Sequence, residues 1–286
     1  MILITGATGR TGSHAARELA ARGVAVRALV RTKDKAASLA AAGVELVFGD
    51  AGDAESLREA MRGVSKVAVI LPNGENQLTM EKRIVDVAVE CGVQHILKIS
   101  SMESLPTAKI GTHRMHWESE EYIRSKGVAW TMVRPSFFMQ NFLANAATIK
   151  SQNKFFYPFG ERGAATMTDS RDAGFFAAHC LATSGHENKS YDITSPDKLT
   201  FHDAAAVFSR ELGRQIAYVP QDPAEYKAHL AKFLASKWHL DAVCDIFVEI
   251  AAGYVVETTS TFKEISGLAP RDLAAFVRET RAVFTS

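Results

Sequence analysis

The segment Thr5-Gly6-Ala7-Thr8-Gly9-Arg10-Thr11-Gly12 spaces its glycines at 6, 9 and 12, directly after the apolar run Ile2-Leu3-Ile4. Between a strand and a helix, such a loop can hold a pyrophosphate. Gly6 permits a tight turn, Gly9 lets the backbone approach the phosphates, and Gly12 lets the helix pack closely on the strand. The helix N-terminus, with Thr8, Arg10 and Thr11 around it, supplies the partial positive charge. The spacing is GxxGxxG, a longer variant of the GxGxxG dinucleotide signature. The plain alternative is a glycine turn in an α/β protein.

A site for NAD usually carries an acid after the second strand, on the ribose diol. This chain offers Arg27, Arg31, Lys33 and Lys35 there. Arg31 stands at the strand end, where a guanidinium can fork onto a 2′-phosphate with Lys35 nearby. That favours NADP(H) and leaves NAD(H) open. A solvated basic face would explain the same residues. Asp50, after the third strand, can accept from an adenine amino group or close its own turn. Leu71, Pro72 and Asn73 follow the fourth strand and face the adenosine and the nicotinamide ribose.

Ser100, Ser101 and Pro135 end the fifth and sixth strands. The serines can line the nicotinamide side or simply form a turn. His113 and His116 lie one helical turn apart. Either can hold a substrate oxygen or relay a proton, or be a surface histidine. No third ligand has zinc spacing. Phe137, Phe138, Met139, Asn141 and Phe142, with Phe156 further on, leave the same sheet edge. Core packing accounts for many aromatics. Rings at this edge also suit a flat organic acceptor, with Asn141 orienting a carbonyl or amide.

The elements that must position these residues alternate. Strands are expected at 2–4, 24–30, 44–48, 67–71, 95–100 and 128–133. Helices are expected at 10–22, 35–42, 54–62, 78–91 and 113–126, with Asp53 as the cap before Ala54. This order implies right-handed crossovers and an α/β fold: a Rossmann-type parallel sheet flanked by helices. Beyond Phe137 the pattern loosens. Helices at 172–181 and 201–212 and strands at 189–193 and 215–219 remain readable, and the chain past Pro223 is mostly helical. We expect a dinucleotide-binding domain over residues 1–150. Residues 151–286 would form a smaller, mostly helical lobe, with some segments returning to the first sheet.

The 286 residues carry a formal net charge of +1, which gives no ground for a nucleic-acid partner. No run of about eighteen apolar residues predicts a membrane span. Residues 1–5 lack the basic flank and apolar length of a secretory signal. Cys91, Cys180 and Cys244 lie far apart, an odd number that fits a reducing compartment. A cytoplasmic location is expected. Whether the chain is a monomer or a homodimer is open.

As a set, TGATGRTG at 5–12, LVR at 29–31, GDAGDAESLREAMRGV at 49–64, GVQHILKISS at 92–101, WTMVRPSFFMQN at 130–141 and ISGLAPRDLAAFV at 265–277 resemble the NmrA-like branch of the atypical short-chain dehydrogenase/reductases. The resemblance implies an extended Rossmann domain and a smaller C-terminal lobe. It implies one of two functions. The first is NAD(P)H-dependent reduction of quinones, azo dyes, triphenylmethane dyes or plant phenylpropanoids. The second is dinucleotide sensing without turnover. The wider superfamily uses a tyrosine and a lysine four residues apart on the helix after strand five. Here those positions hold Thr112 and His116. Threonine cannot act as a phenol, and His116 can take only the polar part of the lysine role. What remains open is direct hydride transfer to an electron-poor small aromatic substrate, with solvent delivering the proton.

Overall fold

The computed structural model describes residues 1–33, 36–234 and 236–285. The chain divides into two compact units, Met1–Pro135 with Ser170–Asp192, and Ser136–Asp169 with Ile193–Ser286.

The first unit runs β1 (Ile2–Ile4), α1 (Arg10–Ala21), β2 (Val26–Val30), α2 (Ala37–Ala40), β3 (Glu45–Phe48), α3 (Ala54–Ala60), β4 (Lys66–Val69), α4 (Gln77–Glu90), β5 (His95–Ile99), α5 (Gly111–Arg124) and β6 (Ala129–Pro135). The chain re-enters this unit later, as described below. The pairs β3–β2, β2–β1, β1–β4, β4–β5 and β5–β6 are all parallel. The central strands are apolar because helices cover both faces. One layer packs Leu57, Ile84, Val85, Val87, Ala88 and Ile123 on Leu3, Val67, Val69, Ile96 and Met132. Asp53 caps α3, accepting from the Ser56 N–H at 2.9 Å.

The second unit opens with β7 (Phe137–Phe138), a 3₁₀ turn at Met139–Asn145, α6 (Ala146–Gln152), β8 (Lys154–Tyr157) and β9 (Ala164–Thr168). The chain then returns to the first unit as α7 (Ser170–Ala182) and β10 (Lys189–Ile193), and β10 lies beside β6 at the sheet edge. The remainder is β11 (Lys198–Thr200), α8 (Phe201–Leu212), β12 (Ala217–Pro220), α9 (Pro223–Leu230), α10 (Lys237–Ala251), α11 (Thr261–Ser266), α12 (Leu273–Glu279) and α13 (Arg281–Thr285). Two small sheets, β11-β9-β7 and β12-β8, hold it together. Residues 136–150, expected with the dinucleotide-binding domain, join the second unit because Met139, Phe142 and Ile149 are fully buried in its core. The strands β7, β8, β9 and β11 carry no periodic signal in the sequence. Among the described residues no helix is long and apolar enough to cross a membrane.

Away from the strand ends that carry the expected site, a polar knot ties β5, β6 and β10 to the turn after α7. The Thr131 hydroxyl donates to the His186 carbonyl at 2.6 Å, so its 2.8 Å contact with His95 Nε2 requires the proton on the ring. His95 Nδ1 is then enclosed without a partner. Protonation there would place a charge in apolar surroundings near Lys66. Burial, then Lys66, pushes the His95 pKa down to about 4. An unfolded histidine binds its proton near pH 6.5, so between about 6.5 and 4 the unfolded chain holds more protons than the folded one. The contribution is therefore present above pH 6.5 and lost as pH falls, by on the order of 2–3 kcal/mol from this residue. Urea-unfolding midpoints measured from pH 7.5 to 4 should fall steadily, and His95→Gln should flatten the fall. A wild-type midpoint constant over that range would contradict this.

Candidate active site

Thr5 begins the site by joining two strands. Its hydroxyl donates to the Ala68 carbonyl and accepts from the Ile70 N–H, both at 3.0 Å. Gly6 follows with φ of +59°, and a Cβ there would overlap the Ile70 carbonyl oxygen. A Cβ on Gly12 would overlap the Gly6 carbonyl, with Ala7 Cα at 3.1 Å. Both glycines are therefore required by close approach. Gly9 differs. Its Cβ would meet only the Gly6 oxygen, at 3.2 Å, and the residue is exposed beside Thr8 and Arg10. An open glycine at the mouth of a helix suits a ligand that comes against the backbone. The first N–H groups of α1, at Arg10, Thr11 and Gly12, have no carbonyl one turn earlier in the helix to bond. The loop fits a dinucleotide pyrophosphate.

Around it, Arg31 is exposed at the end of β2, and Lys35 lies outside the described residues. Asp50 closes its own turn, accepting from the Gly52 N–H at 2.6 Å. Pro72 and Asn73 are exposed and Leu71 half-buried. Ser100 and Ser104 share a 3.0 Å hydrogen bond, and the Ser101 hydroxyl donates to the Glu103 carboxylate, so these serines do build the turn. Pro135 is buried, and its carbonyl accepts from the Met102 N–H at 3.2 Å.

Helix α5 presents Thr112, His113, His116, Ser119, Glu120 and Ile123 inward. His113 and His116 are thus buried, not surface, residues. His116 Nε2 lies 3.1 Å from Asn73 Oδ1, while His116 Nδ1 and Thr112 Oγ1 are enclosed without partners. Burial, then Lys98, then His113, holds the His116 pKa well below its ordinary value. Glu120 accepts from Arg134 Nε at 2.8 Å and from Arg124 at 2.9 Å, so both it and Arg134 serve the scaffold.

Sequence reasoning missed the charge beneath. Lys98 on β5 is wholly buried and pairs with Glu81 on α4 at 2.6 Å; Gln77 Nε2 donates to the other Glu81 oxygen at 3.0 Å. The available signal was a lysine inside the apolar strand His95–Ile99, which calls for a buried acid.

The aromatic residues after Pro135 correct an expectation. Phe142 and Met139 have no exposed surface, and Phe137 meets Phe142, Tyr157, Phe159 and Phe201 edge-on at 6.0–6.5 Å between ring centres. Edge-to-face packing uses the rings for the second unit's core rather than offering them to a ligand. Phe138 and Phe156 remain half-buried and Asn141 exposed.

The profile of the NmrA-like family matches residues 1–276. The chain is 31% identical over 284 residues to an NAD(P)H azoreductase of Xenophilus azovorans, covering 99% of each chain. It is similar in structure to an Escherichia coli NADPH-dependent quinone oxidoreductase complexed with NADPH: TM-score 0.87, 26% identity, 98% of this chain and 100% of the other. A Citrobacter triphenylmethane reductase complexed with NADP(H) superposes with TM-score 0.86 at 26% identity, covering 98% and 99%.

Removing one member of the Lys98–Glu81 pair strands a buried charge, at a cost of about 3–5 kcal/mol. Lys98→Met should lose that much in urea unfolding. Lys98→Met with Glu81→Leu should recover most of it, and equal losses in the single and double variants would refute the pairing.

Proposed function

The chain belongs to the NmrA-like family, and we propose that it is an NADPH-dependent reductase passing hydride directly to a flat aromatic electron acceptor: a quinone, an azo dye or a triphenylmethane dye. The observation that carries this reading is on α5. Where the wider superfamily has a tyrosine and a lysine, this chain has Thr112 and a buried, neutral His116. Neither supplies a proton at neutral pH, and an electron-poor acceptor needs none from the protein. The azoreductase, the quinone oxidoreductase and the triphenylmethane reductase act, by their names, on acceptors of this kind.

In this reading the Gly6, Gly9 and Gly12 loop, with Thr8, Arg10 and Thr11, holds the pyrophosphate on the N-terminus of α1. Arg31 and Lys35 take the 2′-phosphate; Asp50, Leu71 and Pro72 flank the adenosine. Ser100 and Pro135 shape the nicotinamide side. On the first unit, Ser101 and His113 contact the acceptor. When bound, the nicotinamide supplies the hydride. The residues of this chain bind, orient and exclude water.

The test measures NADPH and NADH oxidation with a panel of quinones, azo dyes and cationic triarylmethane dyes. Turnover with at least one class, faster with NADPH, is expected. Tight NADPH binding without any turnover would overturn the reductase reading in favour of a sensor. Arg31→Ala should weaken NADPH roughly tenfold or more while leaving NADH nearly unchanged, since a charged hydrogen bond is lost with only one of them. An unchanged ratio of the two dissociation constants would remove Arg31 from the phosphate site.

A further inference from the structure

The hydrogen bond between His116 and Asn73 has a direction. Asn73 Oδ1 accepts, so His116 Nε2 carries the ring proton. The second nitrogen, Nδ1, is enclosed and faces no acceptor. A protonated ring would need an acceptor there, and the charge that acts most strongly on it is the Lys98 ammonium, held in place from α4 by Glu81. His113 lies one turn away on the same helix and also acts against a charge on the ring. Burial, Lys98, His113 and the enclosed Nδ1 thus all favour a neutral ring with its single N–H committed to Asn73. Asn73 is the exposed end of the pair. Its oxygen is occupied, and among the described residues no group accepts from its amide nitrogen.

We propose that His116 is a positioning residue: its Nε2–H fixes the Asn73 side chain so that the Asn73 amide N–H groups, not the imidazole, meet an oxygen of the bound ligands. The oxygen is either a ribose hydroxyl of the dinucleotide or a carbonyl of the acceptor; both accept an N–H. The assignment of that oxygen rests on the reductase reading above, whereas the state of the imidazole does not. An amide donor at a carbonyl also suits hydride chemistry, because the oxygen gains negative charge as hydride arrives at the conjugated carbon.

The experiment compares wild type with His116→Gln, His116→Leu, Asn73→Ala and the Leu/Ala double variant, using NADPH and 1,4-naphthoquinone. A glutamine amide nitrogen reaches about where Nε2 sits and can donate to Asn73. His116→Leu and Asn73→Ala should each cost about tenfold, the double variant no more than either alone, and His116→Gln should return to within about threefold of wild type. The pH profile of kcat should be the same in wild type and His116→Gln from pH 5.5 to 8.5. Losses confined to the NADPH dissociation constant assign the oxygen to the cofactor; losses in kcat or KM for naphthoquinone at constant NADPH affinity assign it to the acceptor. The proposal is overturned if His116→Gln is as impaired as His116→Leu. It is also overturned if Asn73→Ala changes neither quantity, or if wild type shows an ionisation that His116→Gln abolishes. Nitrogen-15 spectra of the histidines, with the His116 signal identified by its loss in His116→Gln, supply a readout without turnover. A neutral Nε2–H ring from pH 5.5 to 8 is expected, and a charged or Nδ1–H ring refutes the proposal. Failure of wild type to oxidise NADPH with any acceptor would sink the reductase reading alone, leaving the pair to be judged by that spectrum.

Discussion

The first unit depends on one steric constraint: where β1 ends, the chain passes so close to the end of β4 that residue 6 can have no side chain. Thr5 fixes this approach by bonding to both sides of the neighbouring strand, at the Ala68 carbonyl and the Ile70 N–H. The tight exit turns the chain straight into α1, whose N-terminus then opens at the carboxyl edge of the sheet. Gly12 carries the same constraint one turn on, against the Gly6 carbonyl. A third glycine extends it across the helix: a Cβ on Gly174 would lie 2.5 Å from the Thr11 carbonyl oxygen and 2.8 Å from His14 Cβ. That is why α7, which returns only after more than thirty residues spent in the second unit, can seat directly on α1 and cover Ala15 and Ala16. The packing thus brings the start of α1, whose first N–H groups have no carbonyl one turn earlier to bond, to the loop proposed to hold the pyrophosphate.

The same unit buries charge where a simple Rossmann layer would be apolar. Lys98 and Glu81 stand inside the layer between sheet and helices, and Glu120 is wholly buried against Arg134 and Arg124. Such groups are tolerated only when paired and fully hydrogen-bonded. Gln77 supplies the second contact to Glu81, at its other oxygen. The consequence is electrostatic. Burial first, and then the fixed ammonium under α5, disfavour a second cation on that helix and hold the His116 pKa well below its ordinary value. The residue that by position would be the acid–base lysine becomes a neutral strut.

Much of this fold was readable because its signals are local. Asp53 caps α3 as its side chain predicts, and α8 runs Phe201–Leu212 as its periodicity does, between the Thr200–Asp203 capping box and a left-handed Gly213. The glycine spacing located the loop, and the departure at Thr112 and His116 drew attention to α5. What stayed hidden is non-local. The strands Phe137–Phe138, Ala164–Thr168 and Lys198–Thr200 are too short to show a period, and become a sheet only when distant segments meet. Phe142 and Phe137 look alike in a core and in a pocket, since a ring buries the same area in either. Helical spacing also cannot say whether two histidines face water or a buried lysine on another strand; that follows only from the register of β5 against α4 and α5.

A site without a proton donor imposes fewer constraints on what it reduces. An enzyme that must deliver a proton holds an acid within hydrogen-bonding reach of one substrate atom, so substrate shape is specified at two points at once. Delivery of hydride alone specifies one point, the acceptor carbon against the nicotinamide, and the rest of the substrate needs only to lie flat and to be excluded from water. The azo, quinone and triphenylmethane acceptors in the relatives' names differ in size, charge and in whether a proton must follow the hydride, yet each is a conjugated system that accepts electrons. With Thr112 unable to act as an acid and His116 locked to Asn73, the chain retains the requirement common to all three and drops the one that would separate them. Under the reading proposed above, discrimination among acceptors then falls to hydrogen-bond donors and shape rather than to any acid matched to a single leaving or accepting atom.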